Sequence, residues 1–338
     1  MKTVYKGILN IVIIFASTSI FAQAVISADS LVKQGVELGH KKKYDDAIAK
    51  FNEALKLNPN NQMANYELAY NLFVSGKEKE ALPYLEKVVK LNPAAGGAFD
   101  MLGSIYDNDK QPEKAIDYYL RGIKGNPEYQ RLYFNIAVTY YKTRKYAEAE
   151  QYAIDAIKLD PKHSGSQRVY ASATYREGKR GCSLLGWCSF LLLEPQPTHS
   201  AEAYRYIKNI INYGIKKTDE KKINVSVNPD RASNLVIPLT VITATEGKKN
   251  LSPVDSLQLQ LTALFKASRA FAADKEPTII QHYFSDFFEK LGNSDNMPAF
   301  TRLVSMSAYR DENLQWFKDN PGKLEALDAW IRVTKREF

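Results

Sequence analysis

Histidine and cysteine are the side chains best suited to hold a metal or carry a nucleophilic reaction, and this 338-residue chain has four of the first and two of the second. His40, His163, His199 and His282 are widely separated and none forms H-x-x-x-H, so the spacing gives metal catalysis no support. Cys182 and Cys188 share one apolar run. Six residues apart on a helix, they point about 240° away from each other, which bars a disulfide unless that segment is not helical. Geometry favours two buried thiols, and two cysteines alone make no zinc site. The chain has no G-x-S-x-G, no G-x-x-x-x-G-K-[ST] and no G-x-G-x-x-G. No catalytic residue, cofactor or metal is assigned, although a catalytic triad need not be local in sequence. The acidic groups Asp45, Asp46, Glu78 and Glu80 fall where helices should begin, and Lys41, Lys42 and Lys43 where one should end; the helix dipole accounts for both. A phosphate or lipid-headgroup contact is the functional alternative for the three lysines.

The elements that would position any site are set by a repeat. Pro59, Pro93, Pro127, Pro161 and Pro195 stand 34 residues apart. With each proline at position 32 of a unit, position 8 reads Gly35, Ala69, Gly103, Ala137, Ala171, and position 20 reads Ala47, Ala81, Ala115, Ala149, Ser183. Two uniformly small columns are what two helices need where their backbones cross. Position 11 (Leu38, Leu72, Tyr106, Tyr140, Thr174) and position 24 (Phe51, Leu85, Tyr119, Ala153, Trp187) are mostly large and are expected to fill the seams between units. Proline ends each second helix because it cannot continue one.

Over residues 28–195 this pattern resembles the tetratricopeptide repeat (TPR) family, with five units in register and no insertion. Position 4 lacks the usual tryptophan, Ala153 is small and Thr174 is polar. The resemblance implies an all-α, right-handed superhelix of helix–turn–helix units: 28–61, 62–95, 96–129, 130–163 and 164–197. It also implies that a protein or peptide partner binds the concave face, built by positions 2, 5, 6, 9, 12 and 13 of the first helices. The matching residues include Met63, Tyr66, Tyr70 and Phe73; then Asp100, Met101, Asp107 and Asn108; then Arg131, Phe134, Asn135 and Tyr141; and finally Arg168, Tyr175 and Arg176. The family's basic carboxylate clamp is not matched, because Val32 and Val36 stand where Lys and Asn would be needed. What remains is an aromatic groove with acids midway and arginines toward one end, residue types enriched at interfaces. Such a groove suits an extended peptide or an amphipathic helix. The alternative is that some of these aromatics pack on neighbouring repeats or on the second half of the chain.

Flanking segments frame the array. Lys2 and Lys6 precede an apolar run at 8–21, then Ala22-Gln23-Ala24, the layout of a secretory signal peptide over 1–24. The uncharged stretch 7–28 is also long enough to span a bilayer as an uncleaved anchor. Cleavage would leave an exported protein, periplasmic or extracellular, with no stable membrane insertion. The net charge of +8 is diffuse, whereas nucleic-acid binding needs a concentrated basic stripe. The run 182–193 is apolar all round and should be buried on every side. Residues 198–217 have the stripe of a capping helix. The stretch 218–251 reads as a linker or short β-hairpin, with 223–227 alternating, a turn at 228–230, and 235–242 an edge strand because of Pro238. From 252 the helical period returns to the end, giving a mainly helical second domain of unrecognised type. Two functions follow: an exported non-catalytic adaptor in a cell-envelope assembly, or an envelope enzyme or carbohydrate-binding protein working through 224–338 with the repeats as a docking arm.

Overall fold

The computed structural model describes residues 27–194, 197–219, 222–226, 233–271 and 280–338. The expected signal segment, Pro195, the turn at 228–230 and Ile279 lie outside them.

Ten helices alternate as five hairpins: α1 (Ala28–His40) with α2 (Tyr44–Leu57), α3 (Gln62–Val74) with α4 (Glu78–Leu91), α5 (Gly96–Asn108) with α6 (Pro112–Gly125), α7 (Gln130–Lys142) with α8 (Tyr146–Leu159), and α9 (Ser164–Arg176) with α10 (Arg180–Leu193). Each hairpin turns at one left-handed residue at the same position of its unit: Lys42, Gly76, Lys110, Arg144 and Gly178. His40 is the last residue of α1. The prolines act with the residue before them. Asn58, Asn92 and Asp160 stop their helices, and each side-chain oxygen accepts the backbone N–H two residues on, at 3.0–3.2 Å. This Asx turn, with proline at its second position, reverses the chain into the next unit.

Both small columns are buried at the crossing of the two helices. At position 24, Phe51 and Tyr119 lie inside their own hairpins, whereas Trp187 fills the seam beyond the fifth unit, stacked on Tyr206 at 4.7 Å. A Cβ on Gly35 would come within 2.5 Å of Phe51, and one on Gly103 within 2.2 Å of Tyr119. The bare backbone at position 8 thus makes room for the ring opposite. In the fifth hairpin the exchange is reversed, with Ala171 meeting Gly186, where a Cβ would lie 2.9 Å from the alanine methyl. Tyr106 on Tyr118 and Tyr140 on Tyr152 also stack within hairpins, at 5.3 and 5.6 Å.

Beyond the repeats, α11 (Pro197–Ile211) lies against α10 and buries Ala203, Ile207, Ile210 and Ile211. Its Arg205 is exposed at the position where each repeat carries a small buried residue. A two-stranded antiparallel sheet follows, β1 (Ile215–Asp219) with β2 (Lys222–Val225), pairing Ile215 with Val225. The hairpin thus closes earlier than expected. The run expected as an edge strand is instead a helix, α12 (Ser233–Thr245), with Pro238 inside it. Tertiary packing decides this. Ile237 and Val241 enter the core, and the Asn234 side chain donates to Gly178 O at 2.9 Å.

The remaining elements are α13 (Pro253–Lys266), a 3-10 turn (Ser268–Phe271), a π-helical turn (Ile280–Ser285), α14 (Asp286–Gly292), α15 (Met297–Val304), α16 (Arg310–Asp319) and α17 (Lys323–Val333). They cover the apolar α10, which is buried from Gly181 to Leu191. Phe271 sits so close to Gly181 that a Cβ there would approach to 2.2 Å. Trp187, Cys182 and Cys188 are buried, and no disulfide joins the two cysteines. Tyr170 of α9 stacks on Phe284 at 4.8 Å, and Arg336 lies 3.8 Å from the centre of the Phe287 ring while donating to Ser189 Oγ. One core therefore runs from the fourth repeat through to α17.

Gly103→Ala weighs two effects. Alanine gains about 1 kcal/mol of helix propensity, but a methyl forced into the Tyr119 ring costs about 1–3 kcal/mol. Net destabilisation is expected in urea unfolding, and Tyr119→Leu in the same chain should reverse it.

Candidate functional site: the concave face of the repeats

The first helices α1, α3, α5, α7 and α9 lie side by side, and their unburied positions form the inner wall. Met63 and Tyr70 are 57% and 46% exposed. Tyr66 is half-buried, with its hydroxyl where a Cβ on Gly97 would come within 2.7 Å; burial first, then Tyr129, raise it to about 12. Phe73 is half-buried beside them.

Midway along the wall, polar residues engage one another across the unit boundaries. Asp100 is buried; Arg131 Nε lies 3.1 Å from it and Asn135 Nδ2 donates to it. Burial nevertheless outweighs these attractions, and its carboxyl is held above the usual range. Asp107 takes Lys142 Nζ at 2.6 Å and the Thr139 hydroxyl at 3.3 Å. Met101 is buried, and Asn108 donates to Glu78 at 3.1 Å. Phe134 meets His163 edge-on at 4.7 Å. Burial holds the His163 imidazole below its ordinary range, and its Nδ1 caps α9 by accepting from Ser166 N. At the far end Tyr141 lies 5.6 Å from Tyr146 and beside the exposed Arg176. Arg168 pairs with Glu202 of α11 at 2.7 Å, and Tyr175 packs on Tyr206 at 4.8 Å under the Arg180 guanidinium at 4.1 Å. The fifteen nominated residues all lie on the first helices α3, α5, α7 and α9. Met63, Tyr66, Tyr70 and Phe73 present apolar surface, whereas Asp100, Asp107, Arg131, Asn135 and Arg168 are spent largely on neighbouring units.

Sequence reasoning missed this cross-unit pairing. Besides those contacts, Asn61 donates to Asp29, Lys77 to Asp45, and Tyr118 to Glu86, each 32 residues away. An acid followed by a donor about one period later was the available signal. It also missed the contact of His282, whose Nδ1 lies 3.2 Å from Asp286, four residues on. Arg269 holds that same Asp286 and Glu289 at 3.1 and 2.7 Å, which makes the cluster a surface tie between turns. A third omission is buried: Glu150 of α8 and Glu177 share Lys179, whose Nζ lies 2.6 and 3.5 Å from them. Among the described residues, no three His, Cys, Asp or Glu converge on a metal site, and no helix is long and apolar enough to cross a membrane.

Comparison with known proteins agrees with the geometry. The family described as Psidin, N-terminal TPR repeats region, matches residues 37–165. This segment belongs to the tetratricopeptide repeat family. Over 105 residues the chain is 30% identical to Hsp70-Hsp90 organizing protein 1 of Glycine max, a match covering 31% of this chain and 18% of that protein. The chain thus spans under a fifth of that relative's length. It is 26% identical over 208 residues to outer membrane protein assembly factor BamD of Rickettsia prowazekii (strain Madrid E), covering 59% of this chain and 77% of that one. Among solved structures, MamA matches at 20% identity and a TM-score of 0.43, covering 57% of this chain and 98% of that chain.

The Glu150 site gives a pH signature. Burial, reinforced by the hydrogen bond with Glu177 and opposed by Lys179, pushes the Glu150 carboxyl up from 4.5 to about 8. A carboxyl raised on folding contributes stability that is complete below its unfolded value and lost as pH rises through the folded one. The thermal midpoint should therefore fall by a few degrees between pH 5 and pH 8.5, and Glu150→Gln should remove most of that slope.

Proposed function

We propose that this chain is an exported, non-catalytic adaptor whose concave repeat face holds a segment of a partner protein within a cell-envelope assembly. The observation that carries the reading is the exposed Met63 and Tyr70 with the half-buried Tyr66 on the inner wall, whereas Asp100, Asp107, Arg131 and Asn135 farther along already pair with one another or with Lys142. Rigid aromatic surface of this kind gains free energy only when a partner covers it. The named roles of relatives, an organizing protein and an assembly factor, support an interaction role. The basic and apolar N-terminal layout supports export, and the envelope assignment agrees with the likeness to BamD. The partner is a protein or peptide. The diffuse charge speaks against nucleic acid, and removal of 1–24 would leave no stable membrane insertion.

The competing reading puts the work in 224–338. Several carboxylates there are bound to arginines: Asp255 and Glu312 to Arg302, Asp286 and Glu289 to Arg269, Asp328 to Arg332. That arrangement favours a covering layer that completes the core around α10.

Tyr70→Ala combined with Tyr141→Ala should lower capture of partners from native envelope extract by about tenfold or more, as expected for removal of two interface anchors. The circular dichroism spectrum should stay unchanged, and mass spectrometry of the eluate would identify what is lost. Undiminished capture by a folded double variant would overturn the assignment.

A further inference from the structure

A pocket of about 500 Å³ opens on the inner wall between α1 and α3, beside the start of α2. Its aromatic walls are Tyr44, Tyr66 and Tyr70, and Glu67 and Asn71 also line it. Asn71 is 1% exposed. Its amide nitrogen donates to Glu67 O at 2.8 Å, but its Oδ1 receives no hydrogen bond from any described residue. That oxygen lies against the bare backbone of Gly39, where a Cβ would approach to 2.9 Å. A buried acceptor without a donor is destabilising, and a ligand's N–H would relieve that cost. Glu67 is half-buried and makes no ion pair among the described residues; burial holds its carboxyl above the ordinary range.

The choice of ligand follows from these groups. An aliphatic side chain would bury two acceptors without satisfying either. A carboxylate would meet Glu67 and the electron-rich faces of the tyrosines. A cation gains from both, and a planar guanidinium can stack on a ring while donating to two acceptors at once, which an ammonium does less well. His40 and Lys42 also border the pocket, but both are exposed, so water screens their opposition. We infer that this pocket receives an arginine side chain of the bound segment, with Glu67 and Asn71 as acceptors and Tyr66 and Tyr70 as the stacking surface. The inference rests on the concave-face reading above and adds the residue class recognised at one end of it.

The test is fluorine NMR on the full chain labelled with 3-fluorotyrosine, with the Tyr66 and Tyr70 signals assigned by Phe substitution. The probes are the N-acetyl N-methylamides of arginine, citrulline, norleucine and aspartate. The arginine probe should shift both signals and bind about fivefold or more tightly than its neutral isostere citrulline. Glu67→Gln should erase that ratio with the circular dichroism unchanged. Equal or tighter binding of citrulline, norleucine or aspartate, silence with all four probes, or an arginine preference that survives Glu67→Gln would each overturn the inference. Unselective probes alongside lost capture by the Tyr70, Tyr141 double variant would sink only this specificity. Undiminished capture would instead remove the concave-face reading itself.

Discussion

The hairpins close because a bare or small residue on one helix leaves room for the side chain that faces it on the other. Gly35 admits the Phe51 ring, Gly103 admits Tyr119, and Gly186 admits Ala171. A bulkier residue at any of these points would push the helices apart, and the next unit would lose the surface on which it packs. The inner wall is a consequence of that closure. With the second helices tucked behind, the first helices stand in a row, and their remaining positions face a common hollow. Polar pairs such as Arg131 with Asp100 and Lys142 with Asp107 then tie unit to unit. Their basic partners stand in solvent while the burial of Asp100 offsets its attraction to Arg131, so these pairs set register more than they supply stability.

The second half of the chain completes this construction at one end. The tenth helix is apolar on all sides and would be insoluble as a terminal layer. α11 covers its inner flank, and α12, α15 and the 3-10 and π-helical turns cover the remainder. The Arg336 bond to Ser189, the Tyr170–Phe284 stack and the Gln167 bond to Tyr283 fix this cover to the last repeat. Because these anchors sit on α9 and α10, Met63 and Tyr70, four helices and more away, keep their exposure.

The repeats were legible because proline spacing and small columns are local, periodic constraints. The inner-wall positions followed from the family resemblance, so Met63, Tyr66 and Tyr70 could be nominated. That Asp100 would be buried beneath Arg131 and Asn135 could not be seen, because it depends on contacts 31 and 35 residues away. The run 235–242 was misread for a related reason. Its Val, Ile and Pro carry strand-edge propensity, but Ile237 and Val241 find a buried helical seam and Asn234 anchors the helix start to the turn at Gly178. The pocket at Glu67 and Asn71 went unseen because its content is an absence of partners, which only coordinates reveal.

The central claim is that the hairpins leave an open inner wall while the rest of the chain packs behind the last one. Maleimide labelling of a Tyr70→Cys variant measures this directly, because Cys182 and Cys188 are buried internal controls. The introduced thiol should react in the native protein at close to the rate of a free peptide thiol, with the two native cysteines protected until urea unfolds the chain. Protection of the introduced thiol in the native state, or early reaction of Cys182 and Cys188, would contradict the account.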